Sequence, residues 1–399
     1  MSAANLFMEI LDRSNASDVL FAHAPPATMY RIGRTCWMAR RAVQDYSRRA
    51  FNINRHLRRF FHDPVGFRSL QAQTGTLIWG AFAYRFFART LCDETHLDLL
   101  VSPQHALEVG RWVIESGGKG YHFKPTLGQH RHFDVAVRTS PEWPQGWDGG
   151  DDKEVYFTGY GVQNLLKFVT DEVEASLTVR IIVTRCALSQ TLIMTIWRSM
   201  IFGNIITFRA AYSLNAIQTF RVKQSVTRLG AYLDFDEPRG RDVDLRSTVS
   251  LTASTSLPRT FEPRWVDDEL SWVLRFDMHG VSWPMVSRKK PQLLFDPFSV
   301  NCWDNYLLRS DSHTLEETIP WKIDYEIFKF PYCWAAYDKD LRRIIDRLLK
   351  WERAKRMMFP NQKHWTWYDD VLFDYKMRLV KSSKSGIRWM LPPNVIELL

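Results

Sequence analysis

The chain has 399 residues, of which 45% are hydrophobic and 24% charged, and its formal net charge is +9. This is ordinary globular composition, so most of the chain is expected to bury a core, and the length predicts two or three domains. The positive charge is compatible with an anionic partner (a nucleotide, RNA or an acidic protein face), but it identifies none of them.

Local features exclude several classes of protein. The five cysteines are scattered without C-x-x-C spacing, which argues against a disulfide framework or a cysteine-rich zinc site and favours a reducing compartment. The N-terminus lacks the basic and apolar regions of a secretory signal. The most apolar segment, 187–208, contains Arg198 and is therefore predicted to be core. We expect a cytoplasmic or nuclear protein without membrane insertion.

Residues 1–50 are predicted to be an Arg-rich helical extension whose second half is a basic amphipathic helix. Within and just after it, Arg48, Arg49, Arg58 and Arg59 are candidates for contacts with nucleic-acid phosphates. They belong to an arginine run from Arg31 to Arg59, which is interleaved with the apolar residues Trp37, Met38, Val43, Leu57 and Phe60. This pattern favours a solvated helix face that packs in part on the core over a nucleic-acid surface.

Residues 51–235 are predicted to form a compact α+β domain. Two helices come first, and Asp63-Pro64 begins the second, which buries Phe67 and Leu70 and ends at Gly75. Further helices are predicted after Gly80, after Ser102-Pro103 and near 188–200. A loop is expected at 141–154, and strands are predicted in GTLIW, HLDLLV, YHF, FDVAV, VYFTGYGVQNLLKFV, LTVRIIVT and NIITF.

The composition changes after this domain. Residues 236–262 are polar and rich in Ser and Thr, which predicts a linker. Ten of the 16 tryptophans lie in 263–399, which is predicted to be an aromatic-rich region packed on the core.

The order strand, Gly80, helix, strand with Asp98 could present a phosphate group, because a helix N-terminus offers free N–H groups. Taken alone, a glycine at a strand–helix junction is more often a packing residue. The run 75–101 nevertheless resembles the DNA polymerase β-like nucleotidyltransferase superfamily. Residues 50–225 resemble more closely a basidiomycete family of nucleotidyltransferase-like proteins, through NINRHLRRFF, LQAQTGTLI, GAFAYRFF, HLDLLV and IWRSMIFGNIITFRAAYSL.

The resemblance implies a nucleotidyltransferase-like mixed sheet with flanking helices and a degenerate active site. In the superfamily, Asp-x-Asp and a third carboxylate on a neighbouring strand hold two divalent metals, and a Ser after the glycine contacts phosphate. Here Gly80-Ala81 stands at the glycine position, His96 and Asp98 stand at the paired aspartates, and Arg180 falls at the third carboxylate. Gly80, Ala81 and Asp98 are then the candidates for residual nucleotide binding.

These replacements argue against two-metal catalysis. Mg²⁺ prefers carboxylate and water oxygens, and a guanidinium at a metal position would repel it. An arginine facing Asp98 across adjacent strands would instead satisfy that carboxylate without metal, so we predict an Asp98–Arg180 pair. The alternative is a rebuilt Mg²⁺ or Mn²⁺ site made of Asp98, Asp134 and Glu94, with a nucleoside triphosphate. For these acids the ordinary structural roles are a solvated turn for Glu94 and a strand end for Asp134.

The leading hypothesis is a catalytically degenerate nucleotidyltransferase-like protein, without cofactor, that acts as a binding or scaffold module. The alternative is an active, metal-dependent nucleotidyltransferase acting on RNA, a protein or a small molecule. A third hypothesis is a basic nucleic-acid-binding module that uses the arginine run.

Overall fold

The structure is a computed structural model that describes residues 3–24, 26–90, 94–126, 128–139, 162–171, 176–185, 203–222, 225–227, 248–250, 264–268, 270–284, 292–303, 321–335, 338–359, 366–382 and 395–396. The helices are α1 Ala3–Asp12, α2 Ser14–His23, α3 Pro26–Gly33, α4 Trp37–Ala50, α5 Ile53–Leu57, α6 Pro64–Thr74, α7 Ala81–Ala88, α8 Ala106–Glu115, α9 Phe133–Arg138, α10 Lys339–Met358 and α11 Asp369–Ser382. The strands are β1 Leu77–Trp79, β2 His96–Val101, β3 His122–Lys124, β4 Val162–Val169, β5 Thr178–Thr184, β6 Asn204–Ile206, β7 Ala210–Ser213, β8 Ser225–Thr227, β9 Thr248–Ser250, β10 Arg264–Trp265, β11 Trp272–Arg275, β12 Cys302–Trp303, β13 Trp321–Ile323, β14 Tyr332–Trp334 and β15 Val395–Ile396.

A nine-stranded mixed sheet organises the molecule, in the order β15-β11-β7-β6-β1-β2-β5-β4-β3. The pairs β2–β5 and β11–β15 are parallel, and the other neighbours are antiparallel. The prediction of an α+β protein with a mixed sheet and flanking helices is confirmed at this level.

Helix α6 shows how local sequence defines an element next to the sheet. The Asp63 side chain accepts a hydrogen bond from the Gly66 amide at 2.8 Å, and Pro64 occupies the first turn, where its missing N–H costs nothing. Gly75 ends the helix in the left-handed region at φ 70°. Phe67 and Leu70 are buried, as predicted.

The two faces of the sheet are covered by different parts of the chain. Helices α5 to α9 bury their apolar side chains against the face that carries Leu97 and Leu99. The opposite face carries Leu100 and Trp79, and residues of the C-terminal region, including Phe298 and Trp303, cover part of it. Since side chains alternate along a strand, Asp98 lies on the same face as Leu100.

The N-terminal helices α1 to α4 have a core of their own, which includes Phe21, Met29 and Val43. Arg89, which follows α7, connects this bundle to the rest of the protein. Its guanidinium donates hydrogen bonds to the carbonyl oxygens of Phe21 and Ala24 at 2.6 and 2.7 Å. Of the apolar residues interleaved with the arginine run, Val43, Leu57 and Phe60 are buried, whereas Trp37 is 69% exposed.

The C-terminal region contributes to the sheet and also builds a separate core. Strand β11 pairs with β7, so part of this region continues the sheet. Trp265 and Trp334 belong to a core with α10, α11 and the strands β12 to β14, and Trp303 belongs to the core against the sheet. The predicted linker lies outside the described residues except for 248–250, where β9 pairs with β8.

One predicted strand is wrong. The segment FDVAV forms helix α9, in which Ala136 is buried, Phe133 and Val137 are partly buried, and Val135 is exposed. Spacing of three and four residues places the first three on one helical face, and five residues are too few for alternation to outweigh that arrangement. The helix predicted near 188–200 and the loop at 141–154 lie outside the described residues. No helix in the described ranges is long and apolar enough to cross a membrane.

Candidate functional site

The sheet places Asp98 in a row of side chains that crosses several strands. Its register partner on β1 is Trp79, and its partner on the parallel strand β5 is Arg180. Lys167 on β4 is in turn the register partner of Arg180. Residues in register on neighbouring strands face the same side of a sheet, so the row runs from an aromatic ring through one carboxylate to two cations.

Asp98 and Arg180 form a two-bond ion pair. The Arg180 Nε donates to Asp98 Oδ1 at 2.5 Å, and its Nη2 donates to Oδ2 at 2.7 Å. The Asp98 side chain is only 9% exposed and that of Arg180 19%. Parallel N–H···O bonds between a guanidinium and a carboxylate are among the stronger polar contacts in proteins, so this buried acid is satisfied without a metal ion. The predicted pairing is confirmed.

Gly80 lies directly against this carboxylate. It precedes α7 with φ 75° and ψ −143°, a conformation that is essentially restricted to glycine. A Cβ atom at Gly80 would also lie 3.2 Å from Asp98 Oδ2. The glycine is therefore required both by its backbone conformation and by the close approach of Asp98. Ala81 begins α7 and has no hydroxyl to offer a ligand.

His96 stands two residues before Asp98, at the edge of the ion pair, and its side chain is 48% exposed. Its Nδ1 shares a hydrogen bond with Thr95 Oγ1 at 2.9 Å. Partial burial lowers the pKa of His96, and the positive charge of Arg180 lowers it further. The imidazole is therefore neutral at physiological pH, and a neutral imidazole is a poor ligand for Mg²⁺.

Glu94 is buried, which corrects its interpretation as part of a solvated turn. Its Oε1 accepts a hydrogen bond from the His96 amide at 3.0 Å, and its Oε2 lies 3.2 Å from Nη1 of Arg85 on α7. Sequence reasoning missed Arg85 altogether. The polar run DET before β2 predicts a turn, and nothing local shows that the chain covers this carboxylate with the C-terminal part of α7.

Among the residues that the structure describes, the cations around Asp98 outnumber the acids. Asp98 and Glu94 contribute two negative charges, whereas Arg85, Arg180 and Lys167 contribute three positive ones. A divalent cation placed beside Asp98 would meet the guanidinium of Arg180 already hydrogen-bonded to both carboxylate oxygens.

Asp134 is not brought to this site. It lies on α9, which packs on the face of the sheet opposite Asp98, and its carboxylate pairs with Arg111 at 2.5 Å. The hydrogen bond from Arg111 lowers the pKa of this exposed acid. The alternative set of Asp98, Asp134 and Glu94 is therefore not assembled. Within the described ranges, no group of three or more His, Cys, Asp or Glu side chains could hold a metal ion.

The four arginines proposed for nucleic acid have different surroundings. Arg49 pairs with Asp18 at 2.5 Å, and Arg48 lies 3.8 Å from Asp45. Arg58 is exposed, and Arg59 is partly buried. Intramolecular pairing of the first two reduces the positive charge that this stretch could offer to phosphates.

Comparison with known proteins adds no relative. No protein-family model, no curated protein and no solved structure matches the chain.

Proposed function

We propose that this chain is a nucleotidyltransferase-like protein that has lost metal chemistry and acts as a binding or scaffold module. The observation that carries the proposal is the two-bond pair between Asp98 and Arg180. By resemblance, these residues stand at two of the three metal-binding carboxylate positions. Arg180 occupies one of these positions and donates hydrogen bonds to both carboxylate oxygens of Asp98, which occupies the other.

The remaining positions support the same conclusion. His96 offers a neutral ring where the fold would use a carboxylate, and Ala81 lacks the hydroxyl that would contact phosphate. Two metal ions beside a triphosphate need compensating negative charge, whereas the charged groups around Asp98 in the described ranges sum to a positive value.

A ligand titration tests this proposal. Thermal unfolding is followed with ATP, CTP, GTP and UTP, each with Mg²⁺ or Mn²⁺, in the wild type, Asp98→Asn and Asp134→Asn. The last variant is a matched control, because it also neutralises an arginine-paired carboxylate but on the opposite face of the sheet. We expect no metal-dependent stabilisation by any nucleotide in any of the three proteins.

An active nucleotidyltransferase gives a different pattern. One nucleotide would then stabilise the wild type in a metal-dependent manner, Asp98→Asn would abolish the shift, and Asp134→Asn would keep it. That result would overturn the proposal. The comparison uses the shift that each ligand induces, since Asp98→Asn alters the unliganded melting temperature as well.

A further inference from the structure

The C-terminal end of α10 exposes an unusual concentration of apolar side chains. Ten large hydrophobic side chains are exposed in the described ranges, and four of them lie within nine residues. We call these four the α10 tip: Trp351 is 65% exposed, Met357 83%, Met358 66% and Phe359 61%. Scattered single exposures are normal on a protein surface, whereas a contiguous cluster indicates an interaction site.

The rest of the helix is firmly held, so the α10 tip is presented on a fixed element. Leu341, Ile345 and Leu349 are buried on the inner face of α10. Glu352, whose side chain is fully buried, accepts hydrogen bonds from the Thr366 amide and the Tyr368 hydroxyl, both at 3.0 Å. The helix is thus anchored on the side opposite Trp351 and Met358, which are seven residues apart and share the outer face.

Basic residues accompany these apolar side chains. Helix α10 contains eight Lys and Arg against three Asp and Glu, a net charge of +5. Arg347 and Lys350 are exposed on the outer face beside Trp351, and within the described ranges neither forms an ion pair. Arg353, which is also exposed, pairs with Glu326.

We propose that the α10 tip docks on the surface of an anionic lipid bilayer. Shallow burial of Trp351, Met357, Met358 and Phe359 in the headgroup region would remove their apolar area from water, while Arg347 and Lys350 meet anionic headgroups. A nucleic acid would use the cations but would leave Met357 and Met358 in water. A second copy of the chain would bring one +5 helix against another. Docking of this kind needs no membrane-spanning helix and is independent of the proposed function.

Vesicle co-sedimentation of the full chain tests this inference. The vesicles are phosphatidylcholine alone, or phosphatidylcholine with about 30 mol% phosphatidylserine, in a buffer of about 0.1 M ionic strength. Arg347→Glu with Lys350→Glu removes the charge, and Met357→Ser with Met358→Ser removes apolar contact. Matched controls are Arg31→Glu with Arg34→Glu, and Leu6→Ser with Val19→Ser, which alter residues of the N-terminal bundle. Circular dichroism melts check that every variant folds.

The expected result is binding to the anionic vesicles only, weakened at least about tenfold by either α10 double variant and less than about twofold by either control. Three results would overturn the inference. The first is no binding to anionic vesicles, including the case in which RNA or another protein is bound instead. The second is an equal loss in the arginine control, which would mean that net charge alone drives binding. The third is unchanged binding in the methionine variant.

Discussion

Asp98 and Arg180 are 82 positions apart in the chain, yet two hydrogen bonds of 2.5 and 2.7 Å join them across the parallel strands β2 and β5. Both side chains are largely buried, so each depends on the other for solvation. We propose that the pair replaces the metal ions that the resemblance implies for this position.

Breaking this pair should destabilise the fold strongly. Arg180→Gln leaves the carboxylate of Asp98 buried without its counter-ion, and we expect a loss of about 3 kcal/mol in the free energy of unfolding, measured by urea titration. The exposed pair Arg111–Asp134 is the control, and Arg111→Gln should destabilise the protein far less than Arg180→Gln. The double variant Asp98→Leu with Arg180→Leu should cost less than the sum of the single changes. If Arg180→Gln and Arg111→Gln lowered the free energy of unfolding equally, burial would not be what makes the Asp98–Arg180 pair important for stability.

Gly80→Ala should lower the free energy of unfolding for two reasons. The backbone conformation excludes other residues, and the new Cβ would lie 3.2 Å from Asp98 Oδ2. We expect a loss of about 2–3 kcal/mol in unfolding free energy. Gly120→Ala is the matched control, since Gly120 also has a positive φ, 71°, but a Cβ added there would meet no atom within 4 Å. A smaller loss in Gly80→Ala than in Gly120→Ala would show that Asp98 does not restrict this position.

Introducing the carboxylates that the resemblance implies should create a metal-binding site. The triple variant Ala81→Ser, His96→Asp and Arg180→Asp supplies the groups that the resemblance places at these positions. We expect millimolar Mn²⁺ to raise its melting temperature by at least about 2 °C, with no such change in the wild type. Adding Asp98→Asn to the triple variant should remove the effect. If a folded triple variant shows no response to Mn²⁺, the correspondence with the metal-binding positions is wrong.

Asp369 should make stability depend on pH. This fully buried carboxylate accepts hydrogen bonds from the Lys329 and Phe330 amides and from the Tyr332 hydroxyl, and burial raises its pKa to about 6 from 3.8. Between these values the folded protein keeps a proton that the unfolded chain releases. The stabilising contribution is therefore complete below pH 3.8 and is lost as the pH rises to about 6.

The measurement compares the wild type with Asp369→Asn, since other acids titrate over the same range. We expect the unfolding free energy of the wild type to fall by about 2–3 kcal/mol relative to the variant between about pH 4 and pH 6.5. A difference that stays constant with pH would contradict the raised pKa.

Arg68 should be a major structural residue, although no acid side chain in the described part of the chain lies at hydrogen-bond distance from it. It is almost fully buried and donates to the Phe208 and Asp277 carbonyl oxygens and to Asn54 Oδ1, at 2.9, 2.8 and 3.0 Å. Burial lowers its pKa to about 10. Arg68→Met should cost about 3 kcal/mol in urea unfolding, because one buried and two partly buried acceptors lose their donor. Arg58→Met, at an exposed position, should change stability by less than about 0.5 kcal/mol.

Local sequence determined those parts of the fold in which a short residue pattern is compatible with only one type of helix end or strand. Asp63-Pro64 and Gly75 mark the ends of α6, and alternation around Asp98 predicts β2 and the face on which the acid lies. The resemblance placed Arg180 on the strand beside Asp98, and electrostatics then predicted the pair, because a buried acid beside an arginine has little alternative to bonding with it.

Tertiary structure decided what depends on contacts between distant segments. The register of β2 with β5 brings Asp98 opposite Arg180, and the packing of α7 covers Glu94 with Arg85, although its local sequence predicts a solvated turn. The segment of α9 is compatible with a strand by alternation, but a helix buries Ala136 and places Asp134 on the far side of the sheet. Local patterns determine which faces of the helices and strands are apolar. Whether a charged side chain is buried depends on the elements that pack against it, and these lie elsewhere in the chain.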